Sequence, residues 1–316
     1  DDKEGLRDAR QASIQEPFGP RGTWSGFSFS GDPDRQIDFI FVNEKVAVLS
    51  HATLTNAWAG RFPSDHIPVW ARILLNPVPP VPQGHAHNDY EHDRPLWEAL
   101  EAGFCSVEAD IWQLDNQWYV AHDKPGNLEK TPLFEDVYLR PLAEKIRLQG
   151  CVLPKAPNQR LWLMLDLKQA GVENYEALIS FLEPYAWMFS GKTAPLRLFL
   201  SGGRPVEYML REPTLWVGID GRPEHLGQGI LAEQMPVISQ RYGKLFSWKG
   251  RGDMPVKERQ QLKELVARVH HEDKKLRLWA TPESTELWQV FMDEGVDFIN
   301  TDELNMFREL VIEGNK

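Results

Sequence analysis

Cysteine is scarce in this chain of 316 residues: Cys105 and Cys151 are the only two. That excludes a disulfide framework and leaves open one bridge or a pair of unpaired core thiols. No apolar run approaches the ~20 residues that a bilayer crossing needs, so no membrane span is expected. Basic residues are outnumbered, 35 Lys and Arg against 46 Asp and Glu, for a net charge of -11. A surface of that sign repels polyanions, so nucleic acid is not an expected partner. There is no Gly-rich phosphate loop of the dinucleotide-binding type, no HExxH spacing for zinc, and no internal repeat. The opening Asp1-Asp2-Lys3-Glu4 has neither an initiator Met nor a signal-peptide pattern, so a processed or truncated end is expected there. What remains is a composition of folded proteins, 42% hydrophobic and 26% charged.

The clearest boundary is Asn76-Pro77-Val78-Pro79-Pro80-Val81-Pro82, whose four prolines remove amide donors and hold the chain extended. Residues 77–82 therefore read as a linker between a module at 1–76 and a larger one at 83–316. In the first, Gly22–Phe29, Ile37–Val42 and Val69–Leu75 read as strands, with no long amphipathic helix after Gly19. In the second, short apolar runs at Ser106–Ile111, Trp118–Ala121, Leu161–Leu167, Leu196–Leu200, Leu215–Ile219, Val237–Ser239, Leu276–Ala280 and Phe298–Asn300 read as strands. Helical patterns lie between them, at Leu96–Ala102, Val137–Gln149, Tyr175–Tyr185, Val256–His271, Thr285–Asp293 and Glu303–Ile312. Most strands being followed by a helix, the pattern fits a (β/α)8 TIM barrel, an α/β fold whose chemistry belongs at the C-terminal ends of the strands.

The strand ends carry residues that a core avoids. The first ends Gly84-His85-Ala86-His87-Asn88-Asp89, the second carries Glu108-Ala109-Asp110, another ends His122-Asp123, and a later one ends Asp166-Leu167-Lys168. Side chains alternate along a strand, so Glu108 shares a face with Asp110, Asp166 with Lys168, and His85 with His87. Glu108, Asp110 and Asp166 are hard oxygen ligands suited to Mg2+ or Ca2+. His87 and His122, from separate strands, suit the two proton transfers of phosphodiester cleavage. Lys168 adds fixed positive charge. His85 reads equally as loop support or catalysis, whereas Asp89, His92 and Asp123 read as turn residues. Of the twelve tryptophans, Trp112 and Trp279 sit where they would meet substrate, and Trp162, Trp187 and Trp216 fall in core patterns.

At His87-Asn88-Asp89-Tyr90, Arg94-Pro95-Leu96, Gly103-Phe104-Cys105-Ser106-Val107-Glu108-Ala109-Asp110 and Val120-Ala121-His122-Asp123 the second module resembles the phospholipase C-like phosphodiesterase superfamily. The likeness is to its glycerophosphodiester phosphodiesterases, its sphingomyelinase D-like proteins and the group named for altered inheritance of mitochondria protein 6. Gly295-Val296-Asp297-Phe298-Ile299-Asn300-Thr301-Asp302 is similar to that superfamily's last strand. The resemblance implies a barrel, a divalent metal and a hydrolase of phosphoric diesters. His87 and His122 match the catalytic pair, Glu108, Asp110 and Asp166 the metal ligands, and Asn88, Lys168, Trp112 and Trp279 fall to the substrate. The His-Arg-Gly start of the glycerophosphodiesterases is here His87-Asn88-Asp89, so their phosphate-binding arginine is missing, and glycerophosphodiesters, lysophospholipids and related lipid-derived esters all stay open as substrates. Family habit points to an exported, secreted or periplasmic bacterial protein.

Residues 1–76 resemble the C-terminal part of the endonuclease/exonuclease/phosphatase family, a β-sandwich, through Gly22-Thr23-Trp24-Ser25-Gly26-Phe27, Gln36-Ile37-Asp38-Phe39-Ile40-Phe41-Val42 and Ser64-Asp65-His66-Ile67-Pro68-Val69. The likeness maps catalytic roles onto Asp38, Asp65 and His66. The family's N-terminal half, with its metal-binding Glu, is absent, so this module reads as a partial sandwich, inactive alone. Two alternatives to a phosphodiesterase follow: a non-catalytic phosphoester-binding scaffold, or half of a nuclease or phosphatase completed by a missing N-terminal segment.

Overall fold

The computed structural model describes residues 5–27, 33 and 35–314. It divides into two compact units, one made of Asp1–Pro79 and Glu144–Pro157, the other of Pro80–Ala143 and Asn158–Lys316.

In the first unit β1 (Arg7–Asp8) pairs antiparallel with β2 (Phe41–Val42). β3 (Val46–Thr53) pairs antiparallel with β4 (Val69–Leu75), with a register shift between Val48 and Ser50. Ala9, Val42 and Val48 form its buried centre, packed by Ala12, Ile40, Val46 and Ala71. Residues 144–157 join this unit through Arg72 Nη1, which donates to the Leu148 carbonyl at 3.3 Å, and Lys155 Nζ, which donates to the Glu44 carbonyl at 2.5 Å. The strand expected over Val69–Leu75 forms, and β3 was not anticipated. The strand expected over Gly22–Phe29 does not form among its described residues; Ser28 and Phe29 lie outside them. Trp24 makes only an isolated bridge with His66. The reason lies in Thr23: its hydroxyl accepts from the amides of Ile37 at 3.0 Å and Asp38 at 2.9 Å, donors that a ladder would have used. Only Phe41 and Val42 of the expected Ile37–Val42 strand pair.

The second unit is a closed parallel barrel. Its strands are β5 (Val81–Ala86), β6 (Phe104–Leu114), β7 (Gln117–Val120), β8 (Leu161–Leu167), β9 (Leu196–Gly202), β10 (Val217–Gly221), β11 (Val237–Arg241), β12 (Lys275–Trp279) and β13 (Phe298–Thr301). Eight of them form the ring β5-β6-β8-β9-β10-β11-β12-β13, which β13 closes on β5. The last two residues of the proline-rich stretch, Val81 and Pro82, already belong to β5. The run expected at Trp118–Ala121 is not a ring strand. It is β7, folded back antiparallel on β6, because Asp115 (φ 49) and Asn116 (φ 60) make the two-residue turn with positive φ that favours a tight hairpin.

Pleat alternation makes the inside of the barrel two-layered. On β8, Leu161, Leu163, Leu165 and Leu167 point one way, while Trp162, Met164 and Asp166 point the other, in register with Ser106, Glu108 and Asp110 of β6. Met164, Phe199, Val237 and Phe298 form a buried apolar plug, with Trp162 against it. Two residues further along each strand, the same face presents Asp166, Ser201, Ser239 and Asn300. The barrel is therefore dry at its waist and polar at the C-terminal ends of its strands. Cys105 and Cys151 are both free and buried.

Candidate active site

The polar layer lines a cavity of about 310 Å³ bounded by His87, Asn88, Glu108, Asp110, His122, Asp166, Lys168, Ser201, Gly202, Arg204, Arg222, Arg277 and Trp279. One oxygen from each of Glu108, Asp110 and Asp166 falls within 4.8 Å of the others. Oxygen ligands held about 2.0 to 2.6 Å from Mg2+ or Ca2+ stand at most about 4 to 5 Å apart, so the spacing fits either ion. Glu108 and Asp110 are buried and Asp166 is half-buried.

Each carboxylate has its own partners. Glu108 Oε2 accepts from Arg277 Nη2 at 2.6 Å and meets His85 Nε2 at 3.1 Å. Burial alone would raise its pKa, but Arg277, then His85 and His87, hold it below the usual carboxylate range. His85 is fully enclosed, and burial lowers it to about 4 against the pull of Glu108. It is therefore neutral near pH 7; Nε2 donates to Glu108, and Nδ1 accepts from the Ser106 hydroxyl at 2.7 Å. Its role is to hold Glu108. Asp110 Oδ2 accepts from the Tyr90 hydroxyl at 2.7 Å, lies 2.6 Å from Lys168 Nζ and meets His122 Nδ1 at 3.1 Å. Asp166 is pushed up to about 6, chiefly by burial; Lys168 opposes the shift, and Asp110 and Glu108 add to it. Asp166, pushed up by burial and by its two acidic neighbours, is the charge that a cation between the three carboxylates would relieve, so the residues fit a divalent ion.

The two imidazoles differ. His87 Nδ1 meets Asp302 Oδ1 at 2.9 Å. Burial works against its charge, yet the Asp302 carboxylate and the more distant Glu108 outweigh that and raise its pKa. His122 is open to solvent, its side chain 60% exposed. Asn88 adopts the left-handed conformation (φ 44) that Asn tolerates better than most residues. Asp89 is buried and accepts from the Leu96 amide at 2.5 Å and the Tyr138 hydroxyl at 2.7 Å, which pins the loop that carries His87 and Asn88. Trp279 lines the cavity; Trp112 does not, its indole donating instead to the Ala121 carbonyl at 3.0 Å. The structure thus brings His87, His122, Glu108, Asp110, Asp166, Asn88, Lys168 and Trp279 together, and leaves Trp112 outside.

Five lining residues are not among those expected from the sequence: Ser201, Gly202, Arg204, Arg222 and Arg277. In the first unit His66 Nδ1 lies 2.9 and 3.0 Å from the two oxygens of Asp38. The Asp65 carbonyl, not its carboxylate, accepts from the Ser25 amide at 2.8 Å.

Residues 73–188 match the AIM6-like phosphodiesterase domain. The resemblance to the phospholipase C-like phosphodiesterases holds. The altered inheritance of mitochondria protein 6 of Eremothecium gossypii is 28% identical over 273 residues, covering 73% of this chain and 70% of the relative. Its homolog from Arthroderma benhamiae is 23% identical over 283 residues, 78% of this chain and 86% of that protein. Among solved structures, a glycerophosphodiester phosphodiesterase from Parabacteroides distasonis superposes with a TM-score of 0.50 at 18% identity, over 74% of this chain and 98% of that one. At that identity the likeness speaks for the barrel fold. The curated relatives are fungal, which overturns the expectation of an exported bacterial protein.

Proposed function

We propose that the barrel is a phosphodiesterase that hydrolyses a small phosphodiester, glycerol-based or lipid-derived, with Mg2+ or Ca2+ held by Glu108, Asp110 and Asp166. The observation that carries this reading is the convergence of two imidazoles, three carboxylates and Lys168 on one cavity of about 310 Å³. When bound, the ion would supply charge neutralisation at the phosphoryl oxygens. The chain's own residues do the rest. His87 and His122 stand over β5 and the β7 turn-back, where one takes the proton of the attacking hydroxyl or water and the other gives a proton to the leaving oxygen. Asp302 supports the charged form of His87. Lys168, whose pKa is raised by Asp110 and Asp166 against the effect of burial, keeps a positive charge beside the acids.

The test is hydrolysis of bis(4-nitrophenyl) phosphate and glycerophosphocholine with added Mg2+ or Ca2+. His87→Ala and His122→Ala are each expected to lower kcat by at least about a hundredfold, the usual scale of acid-base catalysis. Turnover untouched by both substitutions would remove the assignment.

A binding-only reading draws on a different observation: Arg277 and Lys168 already neutralise Glu108 and Asp110 at 2.6 Å each. Calorimetric titration with glycerophosphocholine, followed by analysis of the same sample for product, separates the two readings. Binding without product supports a scaffold.

A further inference from the structure

Arg204 and Arg222 are unexplained by the chemistry above. They follow β9 and β10, the fourth and fifth strands of the ring counted from β5, and so face the cavity from across the mouth from His87. Both guanidiniums stand near one buried carboxylate, but only Arg222 is hydrogen-bonded to it. Asp220 is fully buried, and its two oxygens are already taken. Oδ2 accepts from Arg222 Nη1 at 2.8 Å and Ser201 Oγ at 2.9 Å, and Oδ1 accepts from the Ser239 hydroxyl. Arg204 comes no nearer to that carboxylate than 4.0 Å. It donates instead to two carbonyls, those of Gly202, at 2.9 Å, and Asp220, and its Nε is buried with no acceptor. Its side chain is only 8% exposed. A guanidinium so enclosed, hydrogen-bonded to neutral carbonyls and with the Asp220 carboxylate no closer than 4.0 Å, is an undercompensated positive charge. Arg241, at the end of β11, stacks over the ring of the cavity-lining Trp279 at 5.9 Å and extends the same positive arc.

The charges of the lining tell the same story. Lys168, Arg204, Arg222 and Arg277 offset Glu108, Asp110, Asp166 and the underlying Asp220 one for one. A divalent ion on the acids and the single negative charge of a phosphodiester leave one positive charge unmatched, and the guanidiniums over β9 and β10 are where it resides.

We propose that Arg204 and Arg222 form a second anion subsite, and that the phosphodiester carries another anionic group, a carboxylate or a phosphate, on the arm that lies over β9 and β10. The identity of the ligand as a phosphodiester rests on the reading in the preceding section; the presence of an anion subsite does not. Planar guanidiniums suit either anion, binding two oxygens at once.

The test measures binding rather than turnover. Full-length protein carrying His122→Ala, which holds the ligands intact, is titrated calorimetrically in Mg2+ with three diesters: glycerophosphoglycerol, with no second charge, glycerophosphoglycerate, with a carboxylate, and glycerophosphoglycerol phosphate. At least one doubly anionic ligand is expected to bind roughly tenfold or more tighter than glycerophosphoglycerol, the scale of one charge-assisted contact. Which one does so distinguishes carboxylate from phosphate. Arg222 carries the test because its side chain is 26% exposed, so Arg222→Gln perturbs folding less than a change at Arg204; circular dichroism checks the fold. Arg222→Gln is expected to bring the affinity ratio within about twofold and Arg222→Lys to retain part of it. Equal affinity for all three diesters, no binding of any, or a ratio that survives Arg222→Gln overturns the subsite. Turnover of bis(4-nitrophenyl) phosphate by the parent protein is scored separately. Catalysis without charge preference removes the subsite alone, and charge preference without catalysis removes the phosphodiesterase reading alone.

Discussion

His87 shows how far one hydrogen bond sets a residue's chemistry. Burial by itself would depress its pKa, yet the contact with Asp302 at 2.9 Å reverses the sign. Asp302→Asn removes the negative partner and keeps the shape, so the pKa of His87 should fall, and the limb of the pH-rate profile that belongs to His87 should move to lower pH. The moving limb also assigns the role: an alkaline limb marks His87 as the acid, an acid limb as the base. A linked effect on stability follows in sign. The pKa of His87 is raised in the folded chain, so its pairing with Asp302 stabilises fully below the unfolded value and is lost as pH rises through the folded one. Urea unfolding of wild type and Asp302→Asn on either side of that window should show a difference at the lower pH that vanishes at the higher. A profile unmoved by the substitution would mean that Asp302 does not govern His87.

Elements place these residues, and the C-terminal end of β9 shows how tightly. Gly202 has φ 64, and a Cβ there would run into the Asp166 carboxylate and the Leu167 carbonyl. Gly202→Ala should therefore cost at least about 1 to 2 kcal/mol through the left-handed backbone alone, and should also push Asp166 away from Glu108 and Asp110. Lower thermal stability together with weaker divalent-ion binding is the expected result; a stability loss with unchanged ion affinity would show that Asp166 has slack. The same scale explains what the sequence could reveal. β8 was legible because Leu161–Leu167 is apolar on both faces with one acid near its end, and Val256–His271 because its apolar residues recur at helical spacing. Glu108 and Asp110 were legible because two acids in alternate positions of an apolar strand contradict a core. Arg277 was not, since an arginine between Leu276 and Leu278 reads as ordinary alternation and its partner Glu108 lies 169 positions away. Arg204 and Arg222 follow strands in turns, where arginine is commonplace, and only the pairing of β9 with β10 brings Arg204 beside Asp220. β7 was misplaced because periodicity identifies a strand without saying which neighbour it joins.

At the scale of the whole molecule, every residue that lines the cavity comes from the barrel unit, and the net charge of -11 favours accumulation of divalent cations at its acids. Ion binding and folding should then be linked. An ion at a hundred times its Kd stabilises a folded chain by about 2.7 kcal/mol, so Mg2+ or Ca2+ should raise Tm and chelation should reverse the rise. Asp166→Asn makes the linkage specific. In the ion-free chain Asp166 titrates at about 6 rather than near 3.8, so at neutral pH its ionised form costs at most about 3 kcal/mol relative to the unfolded state. The sign is that of a raised carboxyl: the penalty is absent below the unfolded pKa and fully present above pH 6 or so. Asparagine keeps the shape and removes that penalty. Without added ion Asp166→Asn should be as stable as wild type or more so at pH 7, and indistinguishable from it in acid, whereas its response to Mg2+ or Ca2+ should largely disappear. Calorimetric scans of both proteins with and without ion measure all of these at once. A variant that loses stability without ion, or keeps the full ion-induced rise in Tm, would show that Asp166 serves the barrel rather than the cation.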